Sequence, residues 1–467
     1  MFDFEYDDDL GRDGLGDRVA AYEDALRNGT PAFFDSDDLE QIATYYFEVG
    51  RLEEALAVVD RHVEEHPGSS DPLVRRGVLL NHLDRHEEAL DAYDAALALN
   101  PTDPETLLNR GVTLDTLGRS EEGLEDFERA LAFDPDLSEA HFNRGIALER
   151  IGQYEAAVAA LEWCAEIEPD HPEVWYELGY CYDQLDRLDD SVRAYDRQID
   201  VDPYAQNAWY NRGIVLNRLE RYTEAVSSYD FALAIDDGFA SAWYNRGNAL
   251  ANLSDPAGAA ESYLKVLELE DGDAATYYNL GLAYDELNDS SAAVGYFHQA
   301  TALDPEYADA WYGLGCALDA LGRYPDALSA FGRALAIEPD EAEYWHARAD
   351  TEYNAGRLGE ALRSYHRVVG LDAENRGAWM DLADTQMEVG RREDALRAFR
   401  EVVRLDPASS EAHLREAWAL ATLGDRESAD RSVRRAEELD PEHAAEIRRA
   451  YDEMWRREAG GRDGARS

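Results

Sequence analysis

Two histidine pairs, His62/His66 and His82/His86, stand four residues apart. That spacing puts both imidazoles of a pair on one helical face, where they could share a metal ion. Zinc takes three or four ligands, and neither pair has an obvious third, so a structural or surface role is expected for all four histidines. Cys164, Cys181 and Cys316 lack metal-type or redox-type pairing. There is no glycine-rich phosphate loop, dinucleotide turn or nucleophile elbow. Carboxylates number 100 among 467 residues, so a pair of them carries no information. These residue types point to no catalytic centre, no metal site and no cofactor. What does recur is a phenol beside an amide. Tyr176, Tyr210, Tyr244, Tyr278 and Tyr312 follow one another at intervals of 34 residues, and Asn211, Asn245 and Asn279 each stand directly after one of them. Asn109 and Asn143 precede in the same register. An amide donates and accepts at once, so a row of them can hold the backbone of an extended peptide whatever its side chains.

The same interval governs most of the chain. Pro67, Pro101, Pro135, Pro169 and Pro203 are 34 apart, and Pro305, Pro339, Pro407 and Pro441 continue the series; Asp237-Gly238 and Asp271-Gly272 replace it at two steps, and Ala373 is an exception. Twelve units of 34 residues therefore run from Ser36 to His443 without insertion. Position 8 of the unit is glycine from Gly77 to Gly315 and otherwise alanine, and position 20 is small throughout, as in Ala55, Gly123 and Ala259. Position 24 is aromatic in most units, from Tyr93 to Phe399, and position 4 is tryptophan in six, from Trp175 to Trp379. Small residues let two helices approach, and large ones are expected to fill the space between units. Gly50, Gly118, Gly152, Gly322, Gly356, Gly390 and Gly424 occupy position 15, where a helix end favours a left-handed residue. Asp-Pro pairs such as Asp134-Pro135 close the second helix, because the residue before proline avoids the helical region. Each unit is read as helix, tight turn, helix.

Trp243-Tyr244-Asn245-Arg246-Gly247-Asn248-Ala249-Leu250, followed by Ala259, Tyr263 and Asp271, resembles the tetratricopeptide repeat with its final proline lost. The resemblance covers residues 36–443. It implies an all-α fold, a right-handed α-α superhelix (an α-solenoid) of stacked helical hairpins, with first helices lining a concave groove. The segment from Phe33 to Tyr46 also resembles cytoplasmic bacterial repeat proteins with no assigned reaction. The implied function is a non-catalytic scaffold that binds an extended segment of a partner protein in the groove. The alternative is a substrate-presenting subunit of a separately encoded glycosyltransferase or similar enzyme.

Positions 2, 6, 9 and 13 share a helical face. If each unit rises about 10 Å, an extended peptide at about 3.3 Å per residue advances three residues per unit. The peptide-binding residues expected are Asn109, Asn143, Asn211, Asn245 and Asn279 with Tyr176, Tyr210, Tyr244, Tyr278 and Tyr312; the same asparagines could instead tie neighbouring helices. The row is broken by Glu177, Gly313 and Ala347. Asp115, Glu149, Asp183, Asp285 and Asp319 at position 12 read as a negative wall, favouring a neutral or basic partner over an acidic one.

Outside the repeats, residues 1–35 read as an acidic tail (1–16) and a capping helix from Asp17 to Asn28, with Val19, Tyr22, Ala25 and Leu26 on its apolar face and Gly29 and Pro31 ending it. Residues 444–467 read as a capping helix from Glu446 to Arg457, with Ile447, Ala450, Tyr451 and Met454 inward, and a frayed end at Gly460–Gly464. Terminal units of a solenoid need covering. The opening residues resemble no secretory signal and no stretch is apolar enough to span a bilayer, so the cytoplasm is the expected address.

Charge supplies the remaining constraint. Lys and Arg number 44, with Lys265 the sole lysine, and the net charge is −56. Such a surface excludes non-specific attraction to nucleic acid or anionic lipid, and with scarce lysine it resembles proteins of salt-accumulating halophiles. Screening weakens as the Debye length grows from about 3 Å at 1 M salt to about 10 Å at 0.1 M. Dialysis from molar potassium chloride into dilute buffer should therefore lower the melting temperature or broaden the transition. A calorimetric melt unchanged by salt would contradict the halophile reading.

Overall fold

The computed structural model describes residues 12–28 and 33–464. Among them are 26 helices and no strand. The chain forms two compact units that divide after Asp236. In the first, the helix Arg12–Asn28 precedes six helical hairpins, from Ser36–Glu48 with Leu52–Glu65 to Gln206–Arg218 with Tyr222–Ile235. In the second, six hairpins, from Ala240–Asn252 with Pro256–Leu269 to Ser410–Leu423 with Arg426–Leu439, precede the helix Ala444–Gly464. The 34-residue period is thus a pair of helices, stacked on its neighbours within each unit. No helix among the described residues is long and apolar enough to cross a membrane.

The turn inside each hairpin has one geometry. Position 15 is left-handed in all twelve pairs: the seven glycines lie at φ between 70° and 89°, and Asp84, Asp186, Glu220, Ser254 and Asn288 lie at 57–61°. The following amide then bonds back into the last helical turn, as Arg119 does to the Leu114 carbonyl at 2.9 Å. This is the six-to-one closure of a Schellman motif. Sequence reasoning found the glycines but not their five substitutes, which adopt the same turn against their own preference.

Between the two helices the contact is a ring on bare backbone. Tyr93, Phe127, Tyr195, Tyr229, Tyr263, Phe297, Phe331 and Phe399 are all buried at position 24. A methyl added at Gly247 would fall 2.6 Å from Tyr263 Cε1, and one at Gly77 would fall 2.4 Å from Tyr93 Cε1. The rings therefore pack first within their own hairpin, whereas the sequence places them in the space between units. Phe297 does both, since a methyl at Gly313 in the next hairpin would lie 2.7 Å from its ring. Between successive hairpins, the position-4 indole does the joining. Trp175, Trp209, Trp243, Trp311, Trp345 and Trp379 each donate Nε1–H to the carbonyl six residues earlier, at 2.8–3.1 Å. His141 and His413 take that place with Nε2 at 2.9 and 3.2 Å from the Pro135 and Pro407 carbonyls.

The terminal helices cover the end hairpins. Val19, Tyr22 and Ala25 are buried, with Tyr22 edge-on to Phe34, whereas Leu26 is exposed against expectation. Residues 12–16 belong to this helix rather than to a tail; residues 1–11, Gly29 and Pro31 lie outside the described residues. Ile447 and Tyr451 pack on Ala417, Leu420 and Val433, while Ala450 is exposed. The helix continues through Gly464, so the expected fraying at Gly460 is not what the structure shows, and the side chain of Met454 lies outside the description.

Glu220 is exposed, left-handed and neither Asn nor Asp. A non-glycine residue there costs roughly 1–2 kcal/mol, part of which glycine returns through a freer unfolded chain. Glu220→Gly should therefore stabilise the protein by about 0.5–1 kcal/mol, readable as a higher denaturation midpoint at unchanged m-value.

Candidate functional site

The tyrosines of position 5 rest on the buried rings of position 24. Centroids are 5.8–6.1 Å apart for Tyr176–Tyr195, Tyr210–Tyr229, Tyr244–Tyr263, Tyr278–Phe297 and Tyr312–Phe331. The interplanar angles are 51–66°: Tyr176 meets Tyr195 edge-on, and the other four pairs are tilted. One layer of rings thus anchors a second, half-buried layer whose hydroxyls reach the next first helix. Burial raises the pKa of Tyr176, Tyr244 and Tyr278, so these phenols stay neutral hydrogen-bonding groups.

The asparagines meet those hydroxyls. Asn211 Nδ2 donates to Tyr176 Oη at 3.0 Å. Asn279 Nδ2 donates to Tyr244 Oη at 3.1 Å and to Asn248 Oδ1 at 3.3 Å, and Tyr263 Oη donates to that same Oδ1 at 2.8 Å. Asn143 instead turns back to the Glu139 carbonyl of its own helix at 2.7 Å. Asn109 and Asn245 are half-buried on the helices Pro104–Thr116 and Ala240–Asn252. Tyr312 departs from the pattern: its hydroxyl donates to Glu343 Oε1 at 2.9 Å and its ring stacks on Tyr344 at 4.8 Å. Asn211 and Asn279 therefore do tie neighbouring hairpins, through Nδ2. Their Oδ1 atoms accept no hydrogen bond among the described residues.

The histidine pairs hold no such place. His62 is buried with Nε2 2.7 Å from Ser36 Oγ, and its ring meets His66 edge-on at 5.1 Å. His86 Nδ1 lies 3.1 Å from Asn81 Oδ1, and His82 packs on Phe47. Sequence reasoning overlooked His346, Asp350 and Asp381, at positions 5, 9 and 6 of adjacent units. His346 Nε2 is 2.9 Å from Asp381 and 3.8 Å from Asp350. Aligning the units one under another would have shown this departure; local spacing could not, because 35 residues separate His346 from Asp381.

The position-12 acids are less negative than the sequence suggests. Asp115 accepts from Ser120 at 2.5 Å and pairs with Arg150 of the next hairpin at 2.6 Å. Asp183 pairs with Arg218 in the same manner. Glu149 lies against Glu177, and burial raises both; Glu177, further disfavoured as an anion by Glu149, is pushed up to about 8. Two carboxyls so placed share a proton. Burial also raises Asp285, and Asp319 Oδ1 is buried without a partner.

Stacked helical hairpins with a tyrosine–asparagine lattice on their first helices define an all-α repeat protein of the interaction-scaffold class. Models of the tetratricopeptide repeat match residues 41–104, 92–125, 127–159, 150–209, 184–238, 210–274, 278–342, 314–376, 346–410 and 380–444. The chain belongs to the tetratricopeptide repeat family. No curated protein matches it. Among solved structures, it is similar to YrrB, described as a tetratricopeptide repeat protein with an unusual peptide-binding site, at 21% identity over 40% of this chain and 96% of that one, with a TM-score of 0.37. It is also similar to the Cut9–Hcn1 heterotetramer of APC/C at 15% identity over 88% and 94% (TM-score 0.41), and to the C-terminal part of a repeat protein from Cytophaga hutchinsonii at 15% over 51% and 98% (TM-score 0.46).

The Glu149–Glu177 pair has a readable pH signature. A carboxyl whose folded pKa lies above its unfolded value adds stability below the unfolded value, and this is lost as pH rises through the folded one. The window here runs from the ordinary glutamate range to about 8. At about 1.4 kcal/mol per pKa unit, even half this elevation makes Glu177→Gln about 2 kcal/mol more stable than the parent at pH 8, with little difference at pH 4. Paired denaturation curves at the two pH values test this.

Proposed function

We propose that the protein is a non-catalytic scaffold whose first helices hold an extended, neutral or basic segment of a partner protein. One observation carries the reading: the amide hydrogens of Asn279 are committed to Tyr244 and Asn248, while its Oδ1 accepts nothing among the described residues. An acceptor held in place by its own Nδ2 has little rotamer freedom left to lose when a backbone N–H arrives. Tyr244, which accepts from Asn279, retains its own hydroxyl hydrogen as a donor. Donor and acceptor together match a peptide group and ignore the side chain it carries. Asn211 with Tyr176 repeats the arrangement in the first unit. Tying hairpins and binding a segment are thus compatible, since each uses a different end of the amide.

The preference for partner charge follows from which acids remain unneutralised. Asp115 and Asp183 are paired with arginines, and Glu149 shares a proton with Glu177, which lowers the negative charge near them and suits an uncharged segment. Localisation in the cytoplasm is part of the same proposal and rests on the sequence expectation alone.

The experiment is peptide selection from a random display library on the full chain in molar potassium chloride, followed by affinity measurement with the winners. Replacing Asn211 and Asn279 together by Ala removes two acceptors worth about 0.5–1.5 kcal/mol each, so selected peptides should bind about tenfold more weakly or worse. Tyr244→Phe, which removes one tie and one proposed donor but leaves both asparagine acceptors, should weaken binding less than the double variant. Unchanged affinity in a double variant that remains helical and cooperative would overturn the reading.

A further inference from the structure

The tyrosine–asparagine lattice changes chemistry at one place in the second unit. In the seventh and eighth hairpins, Tyr244 at position 5 meets Asn279 at position 6 of the next first helix, and Asn248 at position 9 completes the set. Three hairpins further on, the equivalent residues are His346, Asp381 and Asp350. The contacts are conserved in kind: His346 Nε2 lies 2.9 Å from Asp381 Oδ2, and Tyr365 Oη donates to Asp350 Oδ1 at 2.6 Å, as Tyr263 does to Asn248. The groups are not. A phenol and two amides supply donors and acceptors in balance, whereas two ionised carboxylates only accept.

That substitution leaves a deficit of positive charge. Asp381 and Asp350 both turn toward His346 Nε2, at 2.9 and 3.8 Å, and one nitrogen bears at most one hydrogen. Asp319 stands close enough to act electrostatically on Asp350, and its Oδ1 is buried with no hydrogen-bond partner. Arg415, on the first helix of the hairpin after that of Asp381, is committed to Asp384 at 2.8 and 2.9 Å. Buried or crowded carboxylates are ordinarily paired or bound to metal, and this group has too few cations of its own.

We propose that His346, Asp350 and Asp381 bind a divalent transition-metal ion on the first-helix face of the second unit. The three ligand atoms lie within 4.8 Å of one another, so a small rotation of a carboxylate brings all three to the roughly 2.0–2.2 Å that zinc takes from nitrogen and oxygen. Imidazole with carboxylates suits zinc or manganese, and the nitrogen ligand disfavours calcium and magnesium, which prefer oxygen alone. The His and Asp at i, i+4 come from one helix and Asp381 from the next, so the ion joins two hairpins. The Asp350 and Asp381 side chains are 52% and 44% exposed, which gives the ion an entry path and leaves coordination positions open to solvent or to a partner's own ligand. This site is separate from the peptide-binding proposal and does not depend on it.

The test uses the full chain, stripped with a chelator, in molar potassium chloride to screen the acidic surface. Zinc chloride titrated calorimetrically should fill one equivalent and raise the melting temperature. The comparison is the triple variant His346→Tyr, Asp350→Asn and Asp381→Asn, which rebuilds the neutral set of Tyr244, Asn248 and Asn279 and so keeps the fold. It should bind zinc at least about tenfold more weakly and lose the thermal shift. Equal zinc affinity in parent and variant would overturn the proposal. So would magnesium competing at concentrations similar to zinc, which would mark the signal as general attraction to an acidic surface.

Discussion

The contact on which the rest depends is a ring lying on a glycine. Tyr263 can seat itself against the helix Ala240–Asn252 because Gly247 has no Cβ. That close approach fixes how far apart the two helices of the hairpin stand, and it buries the ring. Tyr244 then leans on Tyr263, its hydroxyl meets Asn279, and Asn279 meets Asn248, which Tyr263 itself holds. The path from a missing methyl to the oriented Asn279 amide is only three contacts long. The chain also shows where this contact gives way. Ala43 with Val59 and Ala417 with Val433 combine a larger position 8 with a smaller position 24 at the two ends of the array, while Ala349 with Tyr365 and Ala383 with Phe399 keep the ring beside a methyl.

Two backbone devices turn such hairpins into an array. Within a hairpin, a left-handed residue at position 15 reverses the chain in three residues whatever the side chain, at a conformational cost when it is not glycine. Between hairpins, an indole N–H reaches the carbonyl of the connecting turn, six residues before it, and so ties that turn to the first helix that follows. Histidine replaces tryptophan there twice, at His141 and His413, while Leu39, Leu73, Leu107 and Tyr277 stand at position 4 of the remaining hairpins and supply no ring nitrogen. Neither device requires long-range charge pairing. Many arginines are used locally, as in Arg85 with Glu88 and Arg119 with Glu122, three residues away at 2.7 Å. Such exposed pairs contribute little to stability and leave the large negative excess to the solvent.

The carboxylates on the first helices behave differently from one another. Asp115 and Asp183 meet an arginine of the following hairpin, Glu149 and Glu177 meet each other, and Asp350 and Asp381 meet a histidine. One residue type in one face of a repeat therefore yields an ion pair, a proton-sharing pair and a ligand set. The difference lies in which residue the next unit places opposite it.

The repeat length, the helix–turn–helix unit, the small residues at positions 8 and 20 and the covering role of Val19, Tyr22, Ile447 and Tyr451 were all legible in the sequence. Periodicity is a local property, and burying a hairpin face forces stacking on its neighbour. The Asn–Tyr register was legible too, but not what the amides do, because Tyr244 and Asn279 are 35 residues apart and only stacking brings hydroxyl to amide. The same separation hid the His346–Asp381 contact and the pairing of Glu149 with Glu177. A sequence states which groups are charged in isolation; burial and the partner across the hairpin boundary decide which of them stay so, since desolvation and proximity enter only once the chain has folded.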